Sequence, residues 1–274
     1  MNSTFIPSMV IAFKLAYKSK IISTMSYFVI ALIVIVLMAV EFSARQLSTV
    51  SLDVGISMIR LTLPFIAIVL AQELFSKEFD KKYTLTSLTF PCTRSTWLLS
   101  RITAIFLMCA GLLVVMSILL AAITFYVDGT YQQATPIALG IPYFTTLAFV
   151  ALDLLVIVAI ASFLAVSSVT PSFVLIGTFG FTLIARSYTP IIELLKSNPY
   201  AISDYVDPNL YSDSLSMIAF ILPDLGRLDV RMIALYDKMV FLPSDWLVLV
   251  LATFAYVFAI FSLSVWVLNK RAFN

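Results

Sequence analysis

Four ionisable side chains fall where the surrounding sequence is almost wholly apolar: Arg60, Glu73, Asp153 and Arg186. A charge in such a setting either pairs with another charge or handles protons, ions or charged cargo. Asp153 is the sharpest case. It lies eleven residues into its apolar run, counted from Pro142, about 16 Å along a helix and near the middle of a bilayer. A carboxylate there costs about 2.5–3.5 kcal/mol on insertion scales, so it faces a bundle interior or is protonated. Asp153 therefore lines a translocation path, with Arg60 as the second candidate, or pairs with Arg60 or Arg186, or hydrogen-bonds between helices. Arg60 and Arg186 each sit about six residues from the outer end of an apolar run, within snorkelling reach of the headgroups. Glu73 closes its run and is expected to meet water.

Other chemistry is absent from the chain. There is no histidine, which removes His-based zinc sites, His-ligated haem and Ser-His-Asp catalysis. Cys92 and Cys109 form no CxxC pair; one is expected in a reducing cytosol and the other at lipid depth, so neither a disulfide nor a metal site is expected. None of the seven glycines begins or completes a G-x-x-x-x-G-K phosphate loop, and no GxSxG elbow occurs. The basic stretches lack the interleaved aromatics of a nucleic-acid binder. The chain is thus not expected to be an enzyme. Uphill transport by it would draw energy from a partner or an ion gradient.

The elements that must position these residues follow from composition. Of 274 residues, 61% are apolar and 12% charged, with mean hydropathy +1.04; a soluble domain has about 25% charged residues. Long continuous apolar runs predict an all-α membrane protein rather than a barrel of alternating strands. Six spans are expected, at about 21–40, 54–74, 102–127, 142–166, 173–192 and 245–268. Residues 1–20 carry Met9, Val10, Phe13, Ala16 and Tyr17 on one helical face, with Lys14 and Lys18 opposite, which predicts an interfacial helix or a basic topology-setting flank. The single transmembrane domain thus divides into the interfacial helix (1–20), spans one to five (21–192), an extracytoplasmic segment (193–244), and the last span with its tail (245–274). Within 193–244, apolar runs at 215–222 and 230–242 are too short to span and suit short outer or re-entrant helices. Tyr200, Tyr205 and Tyr211 suit a membrane–water interface, so the segment is a cap, a gate or a surface for an extracytoplasmic partner.

Lys and Arg set the orientation. With the N-terminus inside, the inner segments hold ten: Lys14, Lys18, Lys20, Lys77, Lys81, Lys82, Arg94, Arg101, Lys270 and Arg271, whereas the short outer loops hold only Arg45. Both termini and the stretch 73–101 are therefore expected in the cytoplasm.

That stretch carries the most specific pattern. Glu78 is followed by Thr84, Leu85, Leu88, Pro91 and Arg94, and Arg101 begins the next span. With the interfacial helix, the six spans and the long outer segment, this resembles the permease subunits of ABC type-2 transporters. In those, a Glu opens the loop, a Gly-Thr and a Leu-rich turn follow, then a Pro, an Arg three residues on and a basic residue at the next span; Tyr83 stands here where the family has Gly. LPDLGRLDVRMIALY (222–236) and LNKRAFN (268–274) are similar to the branch associated with copper-enzyme maturation. The resemblance implies a coupling helix near 79–88 that inserts Phe79 and its neighbours into a separate ATPase subunit, with Glu78 and Arg94 as test side chains. Pro91 ends such a helix, Arg94 and Arg101 anchor the return at the headgroups, and the turn 167–172 makes a smaller contact. It further implies export across the inner membrane, an identical second permease chain, ATP and Mg bound by the ATPase, and no cofactor in this chain. An ion-coupled transporter using Asp153 and a non-transporting membrane scaffold are the alternatives.

Overall fold

In hydrocarbon no water is available to the backbone, so an apolar chain must satisfy its N–H and C=O groups within helices. The computed structural model describes residues 4–43, 46–76, 93–128, 139–168, 170–197 and 223–270, and their regular structure is all helical. In chain order these are α1 (Phe5–Lys18), α2 (Ile21–Glu41), α3 (Leu47–Ala71, running into a π-turn at Gln72–Ser76), α4 (Arg94–Asp128), α5 (Ile141–Ser167), α6 (Pro171–Ser197), α7 (Arg231–Tyr236) and α8 (Trp246–Lys270). Five of them, α2, α3, α4, α5 and α8, are long and apolar enough to cross a membrane. The expected fifth span, α6, has 27 residues but carries Arg186, Thr178 and Thr182, and is not among these five.

Helices α3 and α5 form the centre. In their most apolar stretches 67% and 72% of residues are buried, against 22% in α2 and in α8. Along α3 the buried residues Leu52, Ile56, Ile59, Leu63, Ile66 and Leu70 recur every three or four positions, the period of one helix face. Helix α2 buries only Ile21, Leu32, Val36 and Val40, leaving Ile30, Val34 and Met38 exposed on an apolar outer face. Small residues let α3 approach α4 closely. Ser48 and Ser51 are buried, Ser51 Oγ lies 3.0 Å from Thr124 Oγ1, and a Cβ on Gly55 would come within 2.2 Å of Leu120 Cδ1.

Several expected boundaries move. Helix α3 begins at Leu47 rather than 54, so Asp53 lies on the helix. Helix α4 begins at Arg94 rather than 102, so Arg94 and Arg101 are helical residues. Helix α6 runs to Ser197, into the segment expected to be extracytoplasmic. Helix α1 does form, but its buried stripe is Ala12 and Ala16, with Val10 and Tyr17 exposed. Its small side chains pack on α4, where Ser8 Oγ meets Ser100 Oγ at 2.7 Å. Lys20 then turns the chain into α2 with φ 62°, a left-handed conformation that costs a non-glycine residue about 1–2 kcal/mol.

Replacing Gly55 by Ala is expected to destabilise the chain by about 1–3 kcal/mol through overpacking. Combining it with Leu120→Ala should cost less than the sum of the two single changes. Thermal unfolding of the four forms in detergent checks this, and strict additivity would contradict the close α3–α4 contact.

Candidate functional site

The centre of the bundle holds an ion-pair network built from three long helices and a returning segment. Arg60 is fourteen residues before Leu74 on α3, Asp153 fourteen before the end of α5, and Arg186 fifteen after the start of α6. At 1.5 Å per residue all three lie about 21–23 Å from the same end of the bundle. Asp153 Oδ2 accepts from Arg186 Nη2 at 2.5 Å and lies 3.6 Å from Arg60 Nη2. Its side chain is 2% exposed, so the two guanidiniums stand in for water at Oδ2, while Oδ1 is buried without a hydrogen-bond partner. Neither arginine reaches out to the headgroups: Arg60 is 10% and Arg186 22% exposed at the side chain. Pro64 has no N–H to give the carbonyl of Arg60 four residues back, so α3 loses one helical hydrogen bond at this level.

Residues 223–245 complete the network. Asp229 ion-pairs with Arg60 and lies 3.4 Å from Arg231 Nε. Arg231 Nη1 donates to Ser57 Oγ at 2.7 Å and to Asp53 Oδ1 at 3.2 Å, and Arg60 Nη2 donates to the carbonyl of Leu225 at 3.4 Å. Behind these polar ties Leu225, Leu228, Val230 and Ile233 are buried with Phe149, Val156 and Ile157 of α5. The apolar run expected near 230–242 thus forms α7 and a 3-10 turn at Met239–Phe241, with α7 seated against α3 and α5. A cleft of about 260 Å³ opens there, lined by Ser57, Arg60, Leu61, Arg186, Gly226, Asp229 and Arg231. Nearby, Arg227 Nη2 donates to Asp245 Oδ1 at 2.6 Å. That bond, then the backbone N–H of Asp245, holds the carboxyl below its ordinary 3.8. A depressed carboxylate contributes its tie above the unfolded value and loses it as pH falls through the folded one, so this tie is intact at neutral pH.

No family model matches the sequence, and no curated protein matches it either.

At the other end, the flanks of the basic loop are bound into the bundle. Arg94 Nη1 donates to the carbonyls of Leu268 and Asn269, at 3.0 and 3.2 Å, capping the C-terminal end of α8 where a cation is favoured. Arg101 is 2% exposed, donates from Nη1 to the carbonyl of Leu74 at 3.0 Å, and stacks its guanidinium 4.9 Å from the Trp97 ring centroid. Both side chains turn inward to helix termini rather than out to headgroups. Gln72, in the π-turn, donates to the carbonyl of Pro171 at 2.6 Å, joining the start of the loop to the 167–172 turn. Glu73 beside it is half-buried. Glu78, Phe79, Thr84, Leu85, Leu88 and Pro91 lie outside the described residues.

Asp153 and Arg60 therefore come together, but their partners Asp229 and Arg231 and the lining residue Ser57 escape sequence reasoning. The available signal was the alternation Asp224, Arg227, Asp229, Arg231 through an otherwise apolar stretch. Among the described residues no cluster of three or more Cys, Asp or Glu side chains is grouped to hold a metal.

Removing Asp153 leaves two buried cations facing each other. Asp153→Ala is expected to destabilise by about 3–5 kcal/mol. Asp153→Leu combined with Arg186→Leu removes one charge of each sign and should recover most of the loss, since Arg60 keeps Asp229. Denaturation in detergent checks both, and a double variant as unstable as Asp153→Ala would contradict the pairing.

Proposed function

We propose that the chain is the permease subunit of an ABC type-2 transporter: a six-span exporter of the inner membrane, with both termini in the cytoplasm, that works with a second identical permease and a separate ATPase. ATP and Mg belong to the ATPase, since this sequence has no phosphate loop.

One observation carries this reading: a short helix, α7, returns between the last two long helices and is ion-paired to the buried α3. An amphipathic α1 packed on α4 and a basic loop leaving the end of α3 complete the layout. The loop's flanks suit force transmission. Arg101 to Leu74, Gln72 to Pro171 and Arg94 to the end of α8 tie four long helices and a short turn into one base. A push on that base travels along α3, which carries Leu74 in its terminal π-turn and Arg60 about 21 Å away. Rigid elements with two arrangements are how such coupling operates. The ion-coupled alternative is less well supported, because Asp153 is clamped between two arginines rather than presented as a lone carboxyl.

Affinity purification of the tagged chain from its native membrane in mild detergent is expected to bring down a nucleotide-binding subunit and ATPase activity. A complex with no such subunit would sink the proposal. Glu78→Ala should lower ATPase activity of the complex at least about fivefold, the low end of couplings of about 1–3 kcal/mol, without changing membrane insertion. Arg94→Ala should do the same, and also loosen the end of α8.

A further inference from the structure

Three guanidiniums and one carboxylate face the central cleft. Arg60, Arg186 and Arg231 line it with Ser57, Leu61 and Gly226, opposed by Asp229. Asp153, which lies against both Arg60 and Arg186, is buried and not part of the lining. Asp53 engages Arg231 through a single nitrogen. The lining itself is therefore cationic by two charges, although the wider network is balanced.

Donor capacity in the guanidiniums that wall the cleft is also unspent. The Nε atoms of Arg60 and Arg186 are buried without a hydrogen-bond partner, and Arg60 is nine-tenths buried. Ser57 Oγ accepts from Arg231, which leaves its own O–H to donate. Such groups are expensive to bury idle. Planar guanidiniums match the oxygens of phosphate and carboxylate in a way that ammonium groups do not.

We propose that this cleft binds an oxyanion, a phosphate or carboxylate group, between Arg60, Arg186, Arg231 and Ser57. Asp229 occupies two of these guanidiniums, Arg60 and Arg231, when the anion is absent. At about 260 Å³ the cleft holds a headgroup-sized moiety, below the ~300–1,000 Å³ of sites for whole drug-sized ligands. Leu61, 58% exposed, continues its wall onto the apolar outer surface, so the anion is either a free ion or the head of an amphiphile. Because Asp229 sits in the returning segment, an anion that displaces it from Arg60 also releases one of the ties holding that segment to α3. The site deepens the permease reading by assigning an anionic cargo and rests on it for that role alone; binding is an equilibrium property of this chain without an ATPase.

The test uses the full chain purified without its partner. In one arm inorganic phosphate is titrated against chloride at matched ionic strength. In the other, nanodiscs of phosphatidylglycerol are compared with phosphatidylcholine. The thermal midpoint and tryptophan fluorescence are followed in both. A saturable rise in at least one arm is expected, with phosphate alone indicating a free ion and phosphatidylglycerol alone an amphiphile. Arg231→Gln should weaken binding about tenfold, as loss of a charge-assisted donor requires. Ser57→Ala should weaken it about threefold, and Asp229→Asn should tighten it by removing the internal competitor. No saturable change in either arm overturns the proposal, as does an Asp229→Asn variant that binds as weakly as Arg231→Gln. If Arg231→Gln fails to fold, Ser57→Ala, which keeps every charge, decides in its place: weaker binding supports the site and unchanged binding overturns it. Co-purification of an ATPase with a chain that binds no anion would leave the permease reading standing and this one refuted.

Discussion

A carboxylate buried at mid-span needs its compensation within a few ångströms, and Asp153 finds it in Arg186 at 2.5 Å and Arg60 at 3.6 Å. The requirement fixes more than one contact. It brings α3, α5 and α6 to a common level and rotates each so that its charge points inward. Arg60, with its second terminal nitrogen unspent on Asp153, then pairs with Asp229 and draws the returning segment onto the bundle. Replacing such a network by apolar groups is often neutral or stabilising. Its presence is therefore weak evidence for stability, whereas breaking one member leaves a buried charge uncompensated.

The arginines at the other end use the same chemistry on a different acceptor. The carbonyls at a helix C-terminus have no intrahelical partner and carry partial negative charge. Arg94 and Arg101 satisfy them at α8 and at the π-turn that ends α3. Each side chain binds its own helix, α4, to another helix terminus. The basic loop consequently leaves and re-enters the bundle through a cross-linked base, and α3 connects that base to the cleft. An external push on the loop and an anion in the cleft would both act on the same helix.

What was legible in the sequence was what depends on local pattern. Apolar runs located the long helices to within several residues, and counting along one of them set Asp153 near the middle of α5. The α4 start at Arg94 was hidden because its first turns, with Arg94, Ser95, Thr96 and Arg101, read as loop; the two guanidiniums are satisfied by carbonyls of other elements, and the Ser95 and Thr96 hydroxyls by the neighbouring Thr93. Helix α1 forms where the pattern placed it, but that pattern does not show which side chains meet α4: close packing there uses the small Ala12 and Ala16 and leaves Val10 and Tyr17 exposed. The partners of Arg60 depend on how four elements rotate against each other, with Asp229 lying 169 residues beyond Arg60 in sequence. No periodicity within one segment carries that information.

The Arg60–Asp229 pair is the joint on which the account turns, and a double-mutant cycle measures it. Stability of the full chain in detergent would be compared across wild type, Arg60→Gln, Asp229→Asn and the double variant. A coupling of about 0.5–3 kcal/mol is predicted, the range for residues within one salt-bridge network. Additive effects would mean that the returning segment is not held to α3 by this charge pair, and would contradict the account at its centre.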